Sequence, residues 1–139
     1  MREILFRAKA INRDPNREYR TDYKKGDWVY GMISRLYDKM HQAEMTNEDG
    51  VSGIDIDYMT IGQYTGLTDK NGNKIFEGDI VRLWGNGNNL KGVVEYDEAV
   101  WWVRFKECRT YLLDLYDEGE IIGNIYDNPE LIGGDGDDD

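Results

Sequence analysis

The sequence predicts a mainly β protein: a small SH3-like β-barrel in the C-terminal half, packed with an N-terminal β segment, and one short helix. Three observations lead there. Short runs rich in Val, Ile, Tyr and Trp recur along the chain, as at Trp28-Val29-Tyr30, Ile80-Val81-Arg82-Leu83-Trp84 and Val100-Trp101-Trp102-Val103. Glycine- and asparagine-bearing turns separate them, and Asn71-Gly72 stands between two such runs as a tight-turn pair. The spacing is that of a small barrel, and closing the sheet would remove the exposed edges on which such strands aggregate.

Taken in order, Ile4, Phe6 and Ala8 alternate with Glu3, Leu5 and Arg7, the period-2 pattern of a strand with one buried face. Arg13-Asp14-Pro15-Asn16 is turn chemistry. Trp28-Val29-Tyr30 is a strand, and Gly31 allows a bulge or a close backbone approach. Ile33, Leu36, Tyr37 and Met40 fall at helical spacing, so residues 33–45 are expected to form the short helix. A loop follows, then a short edge strand in which Ile54 and Ile56 alternate with Asp55 and Asp57. Thr60 to Thr65 leads into the turn at Asp69-Lys70-Asn71-Gly72-Asn73. Ile80 to Trp84 is the next strand, closed by Gly85-Asn86-Gly87-Asn88-Asn89. Val93-Val94-Glu95-Tyr96 and residues 100–105 form a hairpin around Asp97-Glu98, and residues 111–115 and 121–126 supply two further strands. The expected organisation is one domain, 1–132, with an N-terminal β segment (1–58) and a small barrel (59–132), followed by a disordered acidic tail (133–139).

Composition narrows the classes. At 139 residues, 40% of them hydrophobic and with four tryptophans and ten tyrosines, the chain can bury a core without covalent staples. A single cysteine, Cys108, excludes an intrachain disulfide, and with a single histidine a structural zinc site is disfavoured. No run approaches the roughly 18 apolar residues of a membrane span, and the N-terminus lacks a signal-peptide core. The expected compartment is a reducing cytoplasm. Net charge is −11, yet after Arg109 there is no Lys, Arg or His, and that segment holds ten acids. The first 109 residues are close to neutral. Phosphate recognition needs a basic surface, so a nucleic-acid partner is disfavoured.

Three segments stand out: Arg2-Glu3-Ile4 with Phe6-Arg7-Ala8; Ile61-Gly62-Gln63-Tyr64-Thr65-Gly66-Leu67-Thr68-Asp69-Lys70-Asn71-Gly72 continuing into Ile75-Phe76-Glu77-Gly78-Asp79-Ile80-Val81; and Ile122-Gly123-Asn124-Ile125-Tyr126-Asp127-Asn128-Pro129-Glu130-Leu131. In their order and spacing they resemble the YopX family of phage and prophage proteins. The resemblance implies a phage or prophage origin, the cytoplasm of the host cell and a mainly β fold. It implies no activity.

Candidate sites are read beside simpler roles. Asp69, Asn71 and Asn73 alternate like the first ligands of an EF-hand, but Gly72 comes too early and Ile80 holds the place of the bidentate acid, so a hairpin turn explains them better. His41 has no Ser or Cys beside it to activate. Cys108, between Glu107 and Arg109, is expected to be a buried or inert thiol rather than a reactive one. Glu77 and Asp79, or Asp55 and Asp57, have spacing that permits coordination or glycosidase chemistry. In Glu77-Gly78-Asp79, however, carboxylates bonding backbone amides around a glycine account for the pattern. Gly62, Gly66, Gly72 and Gly78 form no phosphate loop, because no Lys-Ser/Thr follows. Trp101 and Trp102 point to opposite sides of their strand: one faces the core, and the other either packs against the N-terminal segment or lies exposed as an interface anchor. With Tyr64, Trp84 and Tyr96 they define the expected interaction surface. Gly62, Gln63, Tyr64, Thr65, Gly66, Leu67, Asp69, Asn71, Gly72, Glu77, Gly78, Asp79, Gly123 and Asn124 are the motif positions.

The functional expectation is a non-enzymatic module without cofactor or metal. It would bind a host or phage protein and associate with copies of itself. The alternatives are a nucleic-acid-binding small barrel, by fold analogy, and an acidic mimic of nucleic acid that inhibits a host enzyme.

Overall fold

The computed structural model describes residues 3–11, 23–37, 42–85 and 87–132. The Arg13–Asn16 turn, His41 and the acidic tail lie outside them. The protein is mainly β. Its chain divides into two compact units, Met1–Gln63 and Tyr64–Asp139.

The first unit carries β1 (Phe6–Lys9), β2 (Trp28–Tyr37), β3 (Gln42–Asn47) and β4 (Ile54–Asp57), antiparallel in the order β4-β3-β2-β1. A 3-10 turn at Tyr58–Thr60 leads into β5 (Gly62–Thr68), whose first residues pair with β1, Gln63 opposite Phe6 and Gly62 opposite Arg7. The ends of the four-stranded sheet meet where Ala10 bridges Ile56 and the Ile11 N–H donates to the Asp55 carbonyl (2.9 Å). Inside this curl Ala8, Ala10, Val29, Ala43, Met45, Ile54 and Ile56 form a core of mostly small and branched side chains.

Two expectations for this unit are corrected. Residues 33–37 and 42–45 are strand where a helix was expected: β2 runs through to Tyr37 and β3 begins at Gln42, and Met40 lies outside the described residues. A β-bulge between Ile33 and Arg35 shifts the alternation by one residue. Ile33, Leu36 and Tyr37 thereby acquire a spacing that imitates a helix. In the N-terminal strand, Ile4 is exposed while Leu5 and Arg7 are buried, so the buried residues do not follow the simple alternation. Arg7 stacks on the Trp28 ring at 4.6 Å, which lets a guanidinium sit inside.

The second unit carries the rest of β5, β6 (Lys74–Phe76), β7 (Asp79–Gly85), β8 (Asn88–Asp97), β9 (Val100–Arg104), β10 (Arg109–Tyr111) and β11 (Glu120–Asn124). β5 and β6 form a hairpin, and the others form an antiparallel sheet in the order β10-β9-β8-β7-β11. The sheet is open, with β10 and β11 as its ends, so the expected closure into a barrel is not found. Residues 112–114 are also not strand. Leu112–Asp114 is a 3-10 turn that drops Leu112 into the core with Ile75, Val81, Val94 and Val103.

Two backbone features decide local stability. Gly31 lies where an added Cβ would meet the Thr46 carbonyl oxygen of the neighbouring strand, so β2 and β3 can approach only because no side chain is there. The β8–β9 hairpin turns on Glu98 (φ 52°) and Ala99 (φ 64°), the left-handed pair that two-residue hairpins demand but that Asn-Gly fills more easily. Gly31→Ala is expected to cost about 3 kcal/mol, as backbone overpacking does. Ala99→Gly is expected to stabilise by roughly 0.5–1 kcal/mol, since relief of the left-handed strain exceeds glycine's added freedom in the unfolded chain. Urea midpoints of the two variants check both signs.

Candidate functional site

Several motif positions lie at turns and strand ends, and there the side chains of Thr65, Asp69, Asp79 and Asn124 bond backbone groups. Asp69 is buried at the start of the β5–β6 turn. Its Oδ1 accepts from the N–H groups of Asn71 and Asn73 (both 2.9 Å), and its Oδ2 accepts from the N–H of Ile121 in β11 (2.9 Å). Burial alone would push the carboxyl pKa up, but the amides of Ile121, Asn73 and Asn71 outweigh it and hold the pKa below the ordinary aspartate value. Both oxygens of the supposed first calcium ligand are therefore taken by backbone donors. Gly72, at φ 84°, completes the turn by donating its N–H to the Asp69 carbonyl (3.0 Å).

The other motif residues act likewise. Thr65 Oγ1 donates to the Ile75 carbonyl (2.8 Å) and accepts from the Leu67 N–H (3.2 Å), with Gly66 at φ 87° between. Asp79, buried, accepts from the Phe76 N–H at Oδ2 (2.7 Å). Beside it Gly78 donates to the Val94 carbonyl (2.8 Å) and accepts from the Ile125 N–H (2.9 Å), while Glu77 is half-buried at the same corner. Asn124 Oδ1 accepts from the N–H groups of Tyr126 (3.0 Å) and Asp127 (2.9 Å), and its own N–H donates to Asn128 Oδ1 (3.2 Å). Gly123 leaves the space that the Asn128 side chain fills. Asp57, of the earlier acidic pair, accepts from the Met59 N–H at the start of the 3-10 turn.

The exposed aromatic residues divide between the two faces of the five-stranded sheet. On the outer face Trp102 stacks on Tyr111 (centroids 4.7 Å apart, planes at 21°), and the Arg109 guanidinium lies over the Trp102 ring at 3.8 Å. The same face carries Arg82, Trp84, Lys91, Glu95, Arg104 and Glu120; Arg82 stands opposite both Glu120 and Lys91, Glu95 opposite Trp102, and Arg104 opposite Arg109. Its arginines are ion-paired: Arg82 with Glu120, Arg104 with Glu95 (2.9 Å) and Arg109 with Asp97 (2.9 Å). Hydrogen bonding from Arg82 holds the Glu120 carboxyl below its ordinary range. On the other face Trp101 packs against the core and Tyr96 meets it edge-on at 5.0 Å.

Beside Trp101 lies an open groove of about 530 Å³, walled by Leu67, Val100, Trp101, Tyr111 and Leu113, with Asp114 as the charged residue in its lining. Leu113 is 68% exposed and Tyr111 50%. Of the expected interaction surface, Trp84, Tyr96, Trp101 and Trp102 belong to this sheet, with Trp84 and Tyr96 exposed. Tyr64 does not present a surface: it is 8% exposed and packs on Phe76. Tyr111, Leu113 and Arg109 were missed. The signal for Tyr111 and Leu113 was there, since two large apolar residues flank Leu112 in a segment too short to bury all three. Cys108 is exposed, contrary to a buried thiol.

The molecule is thus an antiparallel β protein whose motif residues brace its turns and whose second unit exposes an aromatic sheet and an apolar groove. The chain belongs to the YopX protein family, whose model matches residues 7–133. It is also similar to the crystal structure of protein EF1440 from Enterococcus faecalis, at 25% identity and a TM-score of 0.58, over 94% of this chain and 98% of that one. No curated protein matches it in sequence. Among the described residues no helix is long and apolar enough to cross a membrane.

Because the folded pKa of Asp69 is lowered, its contribution to stability is complete above the unfolded value of about 3.9. That contribution is lost as pH falls through the lower folded value. Asp69→Ala is expected to cost about 3 kcal/mol at neutral pH, as removal of a charged acceptor from buried amides does. As pH falls below the unfolded value, toward and through the lowered folded one, the difference from the parent should shrink. Urea melts of both proteins between neutral and acid pH measure it; a difference independent of pH would contradict the assignment.

Proposed function

We propose that the protein is a phage- or prophage-encoded accessory protein that acts by binding another protein, without chemistry of its own. One observation carries this reading: the second unit leaves Trp84 (67% exposed), Tyr96 (54%), Tyr111 (50%) and Leu113 (68%) in contact with solvent. Large aromatic residues on a rigid sheet are what protein interfaces use as anchors. The carboxylates of Asp57, Asp69 and Asp79 are engaged with backbone amides, which supports a structural role for them. Self-association through part of this surface belongs to the same reading, in the cytoplasm of a host cell.

A second reading has an observation of its own. Arg82, Lys91, Arg104 and Arg109 share a sheet face with Trp84, Trp102 and Tyr111, the mixture that single-stranded nucleic acid stacks upon. The ion pairs of the three arginines weigh against it, since a phosphate would have to displace a carboxylate already in place. The acidic-mimic version draws on the ten acids after Arg109, four of which fall in the tail.

The test is an affinity capture from host lysate with the full chain and with a chain lacking residues 133–139, beside a mobility-shift assay on single-stranded DNA at low salt. The interaction reading expects a discrete captured protein and no shift. A shift that weakens with salt would replace it with the nucleic-acid reading. Salt-sensitive capture of a nucleic-acid enzyme, lost on truncation, would favour the mimic. Light scattering across micromolar concentrations is expected to give a mass above 16.2 kDa; a monomer throughout removes self-association.

A further inference from the structure

We infer that the groove beside Trp101 is a docking site for a short basic segment of a partner protein, one that inserts an aliphatic or aromatic side chain and places Lys or Arg against the groove's acidic rim. This rests on the interaction reading and names its site and the chemistry of its ligand.

The volume comes first. About 530 Å³ lies within the range of clefts that hold small ligands, which is ample for one or two large side chains. The walls are apolar: Leu67 and Trp101 join the core at the floor, and Leu113 and Tyr111 stand exposed at the sides. Such a slot selects an apolar anchor, because burying Leu113 and Tyr111 removes their surface from water.

The charge distribution selects the flanks of that anchor. On the outer face of the sheet Glu95, Asp97 and Glu120 are each matched to an arginine of the same unit. Asp114 in the groove lining has no ion pair among the described residues, and neither have Asp117 and Glu118 in the turn that follows. A cation brought by a partner would meet no competing ion pair at Asp114 among the described residues, and an acidic or phosphate-bearing ligand would be repelled from it.

The wall itself is held in an unusual conformation. Ala99, at φ 64°, lines the groove and presents a methyl group where glycine would relieve the backbone. That methyl extends the apolar surface of the slot, and the two-residue turn fixes it in place.

The experiment is a selection from a displayed random peptide library on the full chain. Synthetic versions of the enriched peptides are then titrated calorimetrically against the parent, Leu113→Asp, Asp114→Lys and, as a control that removes an exposed carboxylate in the first unit, Glu48→Ala. Leu113 and Asp114 are exposed, and circular dichroism verifies that each variant keeps its fold. The expected result is enrichment of an aliphatic or aromatic residue flanked by Lys or Arg. Affinity should fall about tenfold or more in the two groove variants and remain unchanged in Glu48→Ala. No enrichment, enrichment of peptides without basic residues, or binding indifferent to the groove substitutions would overturn the inference. So would a dimer of the parent that Leu113→Asp dissociates, since the groove would then belong to a second copy. If lysate capture succeeds and survives Leu113→Asp, the interaction reading stands and the groove assignment alone falls.

Discussion

The second unit depends on one buried carboxylate. Asp69 gathers three backbone N–H groups, two from its own turn and one from the first part of β11. The turn residues are two and four positions away, whereas Ile121 is 52 residues further along the chain. A single side chain thus fixes both the shape of the β5–β6 turn and the place where the last strand begins. The Lys70 N–H, donating to the Gly119 carbonyl at 3.0 Å, makes the same link a second time through the backbone. Each amide bond to a charged acceptor is worth about 1.5–3 kcal/mol net, a large share of what a domain of this size has in reserve.

The same economy extends to the other corners. Asp79 and Asn124 sit where β7 begins and where β11 ends, positions that face each other in the ladder. Both direct side-chain oxygens at backbone N–H groups that the strand pattern leaves without partners. Buried amides must be satisfied somewhere, and short side chains with fixed geometry do it with little loss of entropy. Family resemblance in these segments is therefore resemblance of architecture. It says which fold is built and leaves open what the fold binds.

Much of this was legible in the chain. Asn71-Gly72 marked a real turn, Trp28-Val29-Tyr30 a real strand, and Asp97-Glu98 the right hairpin within one residue. Gly31 allows either a bulge or a close approach, and the Thr46 carbonyl opposite it makes it the second. The errors have physical causes. A bulge between Ile33 and Arg35 moved the apolar residues out of period 2, and periodicity cannot distinguish that from the start of a helix. Tyr64 looked like a surface residue because aromatic character carries no information about which side of a strand is covered. The long-range pairs were out of reach altogether. Nothing local connects Arg82 to Glu120 or Asp69 to Ile121, because β11 joins β7 only after the chain has passed through three other strands.

Charge and exposure then sort the surface into two kinds. On the outer face of the sheet, cations and carboxylates are neighbours across strands and neutralise each other, so a ligand gains little by approaching either sign. Exposed pairs of this kind contribute only modestly to stability, and their effect is to make that face electrostatically quiet. Beside the groove Asp114 has no ion pair among the described residues, and the apolar walls are not covered. Asp69, Asp79 and Asn124 hold the turns without contributing to the groove lining, whereas Thr65 and Leu67 belong both to the motif segments and to the lining. Substitutions at Leu113 and Asp114 would therefore change the groove's selectivity while the framework that carries it stays the same.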